Sequence, residues 1–245
     1  YGSSTLARAL NNARRHLDFC SITGHAFWPD MPMDLRTQNP IIGMHLGGFE
    51  KLRHYWPKVL EQMHAANKPG EFLVFPSYEW HSMEFGDYNC YAADFAMPLL
   101  SGQDLPELQA VLRNAERPFM LLPHHCGYAP GHRGTQWQAF DPKVSPLAEI
   151  YSNHGCCESD DAPFEYHHSM GPRAGLSTIR RGLLMGKRFG FYAGTDSHDG
   201  YPGHYGHGVT CVMASELSSR AIWEALWERR TIASTGARMK IDFRL

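Results

Sequence analysis

The chain has 245 residues, 43% hydrophobic and 20% charged, with 23 Lys and Arg against 25 Asp and Glu for a formal charge of −2 at pH 7. That length suits one large domain able to build its own core, and the composition excludes a disordered chain. The near-neutral balance argues against a nucleic-acid or anionic-membrane partner, and no apolar run approaches the ~18 residues that a bilayer span requires.

Behind Ser3, Ser4 and Thr5, any of which can cap a helix, Leu6, Ala9, Leu10 and Ala13 recur with helical spacing. A strand-length apolar run follows at 17–23 (LDFCSIT). Residues 26–45 are rich in Pro and Gly and read as a long loop. Phe49, Leu52, Trp56, Leu60 and Met63 then mark a helix expected to break or bend near Pro57. Further strands are predicted at 71–76 (EFLVFP), 118–122 (PFMLL), 147–151 (LAEIY) and 189–193 (FGFYA), with a second long loop at 126–146. Leu176, Ile179, Leu183 and Leu184 predict a helix, and another opens at Ser218 or Ser219 and carries Ala221, Ile222, Ala225 and Leu226. The mostly unalternating strands suit burial on both faces, as in a parallel sheet covered by helices. Alternation of helix and strand predicts an α/β fold, and the length favours a barrel over an open sheet. No repeat, low-complexity tract or linker divides the chain, so residues 1–245 read as a single domain.

None of the six cysteines forms a C-x-x-C pair, so they are expected to be reduced and mostly buried. The chain opens on Tyr1 without a signal-peptide pattern, which leads us to expect a trimmed piece of a longer protein. Compartment is left open, the cytoplasm being favoured.

Fifteen histidines outnumber the 13 Phe, 11 Tyr and 11 Met, and histidine is the commonest protein metal ligand. Their placement gives the excess a meaning. The strand at 17–23 runs into Gly24-His25, EFLVFP into Glu79-Trp80-His81, and PFMLL into His124-His125. The strand at 147–151 holds Glu149 and leads to His154, and FGFYA leads to Asp196 and His198. In a parallel barrel all carboxyl ends of strands share one face, so these groups would converge. Imidazole with carboxylate is a ligand set for Zn, Mn or Fe, and bound cations offset the cost of burying such groups. Any one of these histidines, taken alone, reads as a cap or surface group; five strand ends in a row do not. His167-His168 lies in a polar stretch and reads as solvated, and Asp196-Ser197-His198 are too close in sequence to form a serine triad. Phosphate-loop, nucleophile-elbow, H-E-x-x-H and dinucleotide fingerprints are absent, and 200–208 reads as a lid or loop.

Thr-Gly-His at 23–25, Tyr-Glu-Trp at 78–80, Pro-His-His at 123–125, Glu-Ile-Tyr-Ser-Asn-His-Gly at 149–155 and Gly-Thr-Asp-Ser-His at 194–198 resemble, in this order, the motifs of the PHP (polymerase and histidinol phosphatase) superfamily. The likeness extends to a poorly characterised branch that carries Thr-Gly-Ala-Arg near its end, here 235–238. It implies a distorted seven-stranded TIM-like barrel holding two or three divalent ions. The resemblance implies that His25 and His198 share one ion and that Glu79 bridges two others, with Asp196 on one and His125, together with His124, on the other. His154 and Glu149 are implied as late ligands or proton handlers, and His81 and Asp87 fall where a further ligand is often placed. The superfamily opens on a strand carrying His-x-His, which does not precede the first helix here, so that strand is expected upstream of Tyr1. Residues 241–245 read likewise as a strand cut short.

These readings lead to a metal-dependent hydrolase, foremost a phosphoesterase with a metal-activated water. Asp196, His154 and Glu149 are the candidate catalytic residues. His132, Arg133 and Arg238 are candidates to grip an anionic small-molecule substrate. Two alternatives keep the same cage: hydrolysis of an amide, ester or lactone, and a non-catalytic metal-binding or regulatory barrel.

Overall fold

The computed structural model describes residues 4–32, 40–166 and 173–239. The chain opens with α1 (Leu6–Ala13), capped by Thr5, whose side chain accepts the Arg8 N–H, and seated through Ala9, Leu10 and Ala13. Then come β1 (Phe19–Cys20), β2 (Gly24–Phe27) and α2 (Pro40–Ala66). The loop expected up to residue 45 is in part helix. Gly43, Gly47 and Gly48 had hidden it, since glycine has the poorest helix propensity after proline. Pro57 lies inside this 27-residue helix without ending it.

The chain continues through β3 (Leu73–Val74), β4 (Ser77–Trp80), β5 (Tyr88–Ala92), α3 (Leu105–Arg113), β6 (Phe119–Pro123), β7 (Leu147–Ser152) and β8 (Gly155–Cys156). It closes with α4 (Ile179–Leu184), β9 (Gly190–Ala193), β10 (Val209–Val212), α5 (Ser219–Trp227) and β11 (Thr231–Ser234). Residues 167–168 and 241–245, read above as solvated and as a cut strand, lie outside the described residues.

The class is mixed α/β, but the strands are not all parallel. β1 pairs with β3, β2 with β4 and β7 with β9 in parallel, whereas β4–β5, β5–β6, β7–β8 and β10–β11 are antiparallel. Among the described residues these pairings form four separate sheets and no closed barrel. The reversal comes from β5, a strand the sequence reading did not assign. The turn after β4 returns the chain immediately beside it, which a covering helix would have prevented. β6 and the approach to β7 are tied by the Leu121 N–H donating to the Val144 carbonyl at 2.9 Å.

Among the described residues, five apolar clusters hold the fold together, and the two with the most members join these layers. Trp56 of α2, Tyr78 and Trp80 of β4, Tyr88 of β5 and Leu105 and Leu108 of α3 form one. Phe75, Leu147, Tyr192 and Ile222 and Trp223 of α5 are in the other. The six cysteines are free, five of them buried and Cys211 exposed. No helix of the described residues is long and apolar enough to cross a membrane.

The leucine stripe predicted for α4 does not face the core: Leu176, Leu183 and Leu184 are exposed. This short helix docks instead through Ile179 and Gly182, and a β-carbon at Gly182 would lie 2.7 Å from the Trp137 ring. That ring is buried and stacked on Phe189 at 5.0 Å between centroids. Gly182→Ala should therefore destabilise by about 1–3 kcal/mol through overpacking, although helix propensity alone favours it. A urea titration showing an unchanged or raised midpoint would refute this packing.

Candidate metal centre

Parallel pairing of β2 with β4 sets His25 opposite Glu79, and β5 and β6 extend the same sheet so that Asp87 and His124-His125 arrive beside them. His125 and Asp196 both follow strands with positive φ (34° and 47°), a conformation that costs energy in non-glycine residues and redirects the chain.

Glu79 is the hub. Its Oε2 lies 3.1 Å from His25 Nε2, and its Oε1 lies 2.9 Å from His124 Nε2 and 3.3 Å from His81 Nδ1. Asp87 Oδ2 meets His81 Nδ1 at 3.0 Å and His125 Nε2 at 3.2 Å, and accepts from Arg133 Nε at 2.7 Å and from its Nη2. Asp196 Oδ2 lies 2.8 Å from His154 Nε2 and 3.5 Å from His124 Nδ1, and His154 Nδ1 is 2.9 Å from the Tyr128 hydroxyl. Glu149 accepts the backbone N–H of His125 at 2.8 Å.

Burial raises the carboxyl of Glu79, but His25, His81 and His124 outweigh it and hold the group well below the usual range. Burial is likewise overcome at Asp87 by Arg133 with His81 and His125, and at Asp196 by His154 and His124. At His124 burial disfavours the proton, yet Glu79 and Asp196 raise it well above the imidazole norm. Burial with the neighbouring His124 lowers His125 to about 3, and burial pushes Glu149 up to about 8, aided by Asp196.

Of the residues singled out from sequence, His25, Glu79, His124, Glu149 and Asp196 line a cavity of about 250 Å³, and His125 and His154 join the cluster behind it through Asp87 and Asp196. His198 also lines that cavity; it is exposed, with its ring 5.7 Å from that of His25. Arg133 stands inside the cluster with its guanidinium on Asp87. His132 is exposed on the adjoining loop, and Arg238 is exposed with its guanidinium 5.9 Å from the Tyr205 ring centre. The sequence reading missed His45. It is buried on α2 with its ring 5.0 Å from that of His25 and 5.7 Å from that of His81, and strand-end logic cannot find a helical residue.

Among the described residues, two groups have the composition and closeness to hold a metal ion: Glu79, Asp87, His124 and His125, and His25, His45 and His81, with donor atoms in each group within 4.8 Å of one another. Every member is buried, and neither His81 Nε2 nor His125 Nδ1 has a hydrogen-bond partner. Buried nitrogens left in this state are costly unless a ligand meets them, so the residues fit divalent ions.

No family model matches the chain. Uncharacterised proteins of Chlamydia muridarum (strain MoPn / Nigg) and Chlamydia trachomatis serovar D are 30% and 29% identical over 123 residues, 46% of this chain. The match spans only 20% of the length of each relative. The chain shares its fold with PsfC from Pseudomonas syringae PB-5123, with a TM-score of 0.53 and 17% identity over 93% of this chain and 81% of that one. A two-domain protein from Bacteroides vulgatus ATCC 8482, containing a predicted PHP-like metal-dependent phosphoesterase, aligns over 96% of this chain and 61% of its own, with a TM-score of 0.46 and 15% identity.

Proposed function

We propose that this chain is a metal-dependent hydrolase of the PHP type, acting foremost on a phosphate ester of a small molecule. The observation that carries the reading is the buried set Glu79, Asp87, His124 and His125, whose donor atoms lie within 4.8 Å of one another and whose members Glu79 and His124 face the cavity. In this reading the separate sheets are arcs of a distorted TIM-like barrel, and the centre takes two or three ions of Zn, Mn or Fe. Bound ions would lower the pKa of a water and neutralise charge on the substrate. Around them, His154 is held at both nitrogens, Nε2 by Asp196 Oδ2 at 2.8 Å and Nδ1 by the Tyr128 hydroxyl at 2.9 Å, so the imidazole orients Asp196 and can exchange a proton with that carboxylate, which lines the cavity. Glu149, pushed up to about 8, holds a proton near neutrality and is the candidate donor to a leaving group.

One observation favours the second enzyme reading. Among the described residues lining the cavity there is no Lys or Arg, and Arg133 is committed to Asp87. An anionic substrate would therefore rely on the ions and on residues such as His132 and Arg238 reaching in, whereas an amide, ester or lactone would need no such grip. The test is a panel of nitrophenyl phosphate mono- and diesters beside nitrophenyl carboxylates, with metal-reconstituted protein. We expect phosphoester turnover that disappears in Asp196→Ala. Turnover that survives exhaustive chelation would overturn the metal reading, and carboxylate release alone would move the substrate class.

A further inference from the structure

We propose that Asp30 is a positioning residue: from the loop after β2 it fixes the turn 82–84 and, through that turn, the placement of Arg133 and Asp87. The inference rests on the hydrolase reading for its purpose, but its geometry involves no ion.

One carboxylate holds the whole turn. Asp30 Oδ2 accepts from the Ser82 hydroxyl at 2.8 Å and from the Glu84 N–H at 3.0 Å, and Oδ1 accepts the Met83 N–H at 3.0 Å. Hydrogen bonds to a carboxylate are roughly twice as strong as those between neutral groups. The Ser82 oxygen in turn accepts the Phe85 N–H at 3.0 Å, so the turn closes on the hydroxyl that Asp30 anchors. Asp30 is exposed, whereas Asp87 is fully buried and accepts the Ser82 N–H through Oδ1 at 3.2 Å. The loop that carries Asp30 is seated by Met31, buried against Ile42 and Phe49 of α2.

The Arg133 backbone docks on the same turn. The Met83 carbonyl accepts the Arg133 N–H at 3.0 Å, so Asp30 and Arg133 hold the two backbone groups of one residue. The Phe85 carbonyl accepts the Gln136 N–H at 3.2 Å, and a β-carbon at Gly86, where φ is 89°, would lie 2.9 Å from Thr135 Cα. Arg133 sits at φ 69°, a conformation that a non-glycine residue keeps when its surroundings enforce it. Its guanidinium then returns to Asp87, and lies 5.4 Å from the ring centre of Trp28 in the Asp30 loop. Asp30, Met83, Arg133, Asp87 and Ser82 thus form a closed circuit of hydrogen bonds.

Outer partners that aim a ligand contribute about 10–100-fold to metal affinity. Asp30 aims Asp87 at one remove, so the lower end of that range is expected. The competing explanation is that Asp30 is an ordinary surface cap whose loss softens one turn. It predicts a lower melting temperature with unchanged metal affinity.

The test compares Asp30→Ala and Asp30→Asn with Gly182→Ala, which is destabilised at Trp137, outside the circuit. In chelator-stripped full chain, the Arg133 Nε–H signal is followed by NMR and identified by its absence in Arg133→Met. It should shift and exchange faster with water in Asp30→Ala, and stay in place in Gly182→Ala. An amide oxygen at the Oδ2 position keeps the bonds from Ser82 and Glu84, so Asp30→Asn should fall between wild type and Ala. Circular dichroism checks folding, and Asp30→Asn carries the same test where Ala fails to fold. In zinc titration calorimetry, the ion lost in Asp87→Asn should bind about tenfold more weakly in Asp30→Ala and with wild-type affinity in Gly182→Ala. A folded Asp30→Ala whose Arg133 signal is unmoved, or whose zinc affinity matches wild type, overturns the proposal. If wild type turns over substrate with zinc while that signal is unmoved, the hydrolase stands and the circuit falls. An Arg133 signal that answers to Asp30 in a wild type that binds no zinc supports the circuit and removes the hydrolase.

Discussion

Glu79→Gln should strip the carboxylate-rich group of its ion and lower kcat/KM by about 10³-fold, the upper end of what loss of one charge-stabilising group costs. The size follows from position. Both oxygens of Glu79 are in use, Oε2 toward His25 and Oε1 toward His124 and His81, so the side chain links every imidazole set in the centre. Gln keeps the volume but removes the charge, and its amide N–H₂ would face ring nitrogens that now face a carboxylate oxygen. Glu79→Ala goes further, leaving His25 Nε2 and His124 Nε2 buried without their acceptor, whereas His81 keeps Asp87. Each such orphan costs about 1–3 kcal/mol, and a domain of this size loses roughly 2–4 °C of melting temperature per kcal/mol. Calorimetry on metal-free protein should therefore rank wild type above Gln and Gln above Ala. Metal content and turnover should be equally low in both variants. Turnover within tenfold of wild type in Glu79→Gln would show that the chemistry takes place elsewhere.

The parts of this centre that could be read from sequence are those delivered by strands. His25, Glu79, His124-His125, Glu149 and Asp196 each sit in or just after an apolar run, and a strand fixes where its end points. His45 escaped because it rides on a helix whose first turns are masked by glycines, and because no neighbour in sequence shares its chemistry. Asp87 was noticed but could not be assigned, since it lies just before β5, a short strand with polar Asn89 in it. The helix α3 went unassigned although Leu105, Leu108 and Leu112 recur at helical spacing behind the Asp104 cap, a signal that was available. Sheet direction was harder. A buried strand looks alike in a parallel or antiparallel pair, and only the length of the connection between β4 and β5 separates the two. The role of Arg133 depends on a backbone φ of 69° that no local pattern announces.

Arg133→Met is expected to lower the melting temperature of the metal-free chain by roughly 10 °C, and divalent ions should restore much of the loss. Asp87 is fully buried, and Arg133, itself 11% exposed, donates to it through Nε and Nη2. Removing one partner of a buried ion pair costs about 3–5 kcal/mol, because the remaining charge is left without compensation. At roughly 2–4 °C per kcal/mol this gives the stated drop. The guanidinium and a divalent ion neutralise the same carboxylate. An ion that binds the folded state at 100 times its Kd adds about 2.7 kcal/mol, and in the variant it also relieves the stranded charge on Asp87. Manganese or zinc should therefore raise the melting temperature of Arg133→Met by more than it raises that of wild type. In Arg133→Met/Asp87→Asn, with both charges gone, the extra rescue should vanish. Equal metal-induced shifts in wild type and Arg133→Met would mean that Asp87 answers to the guanidinium alone and is not a ligand.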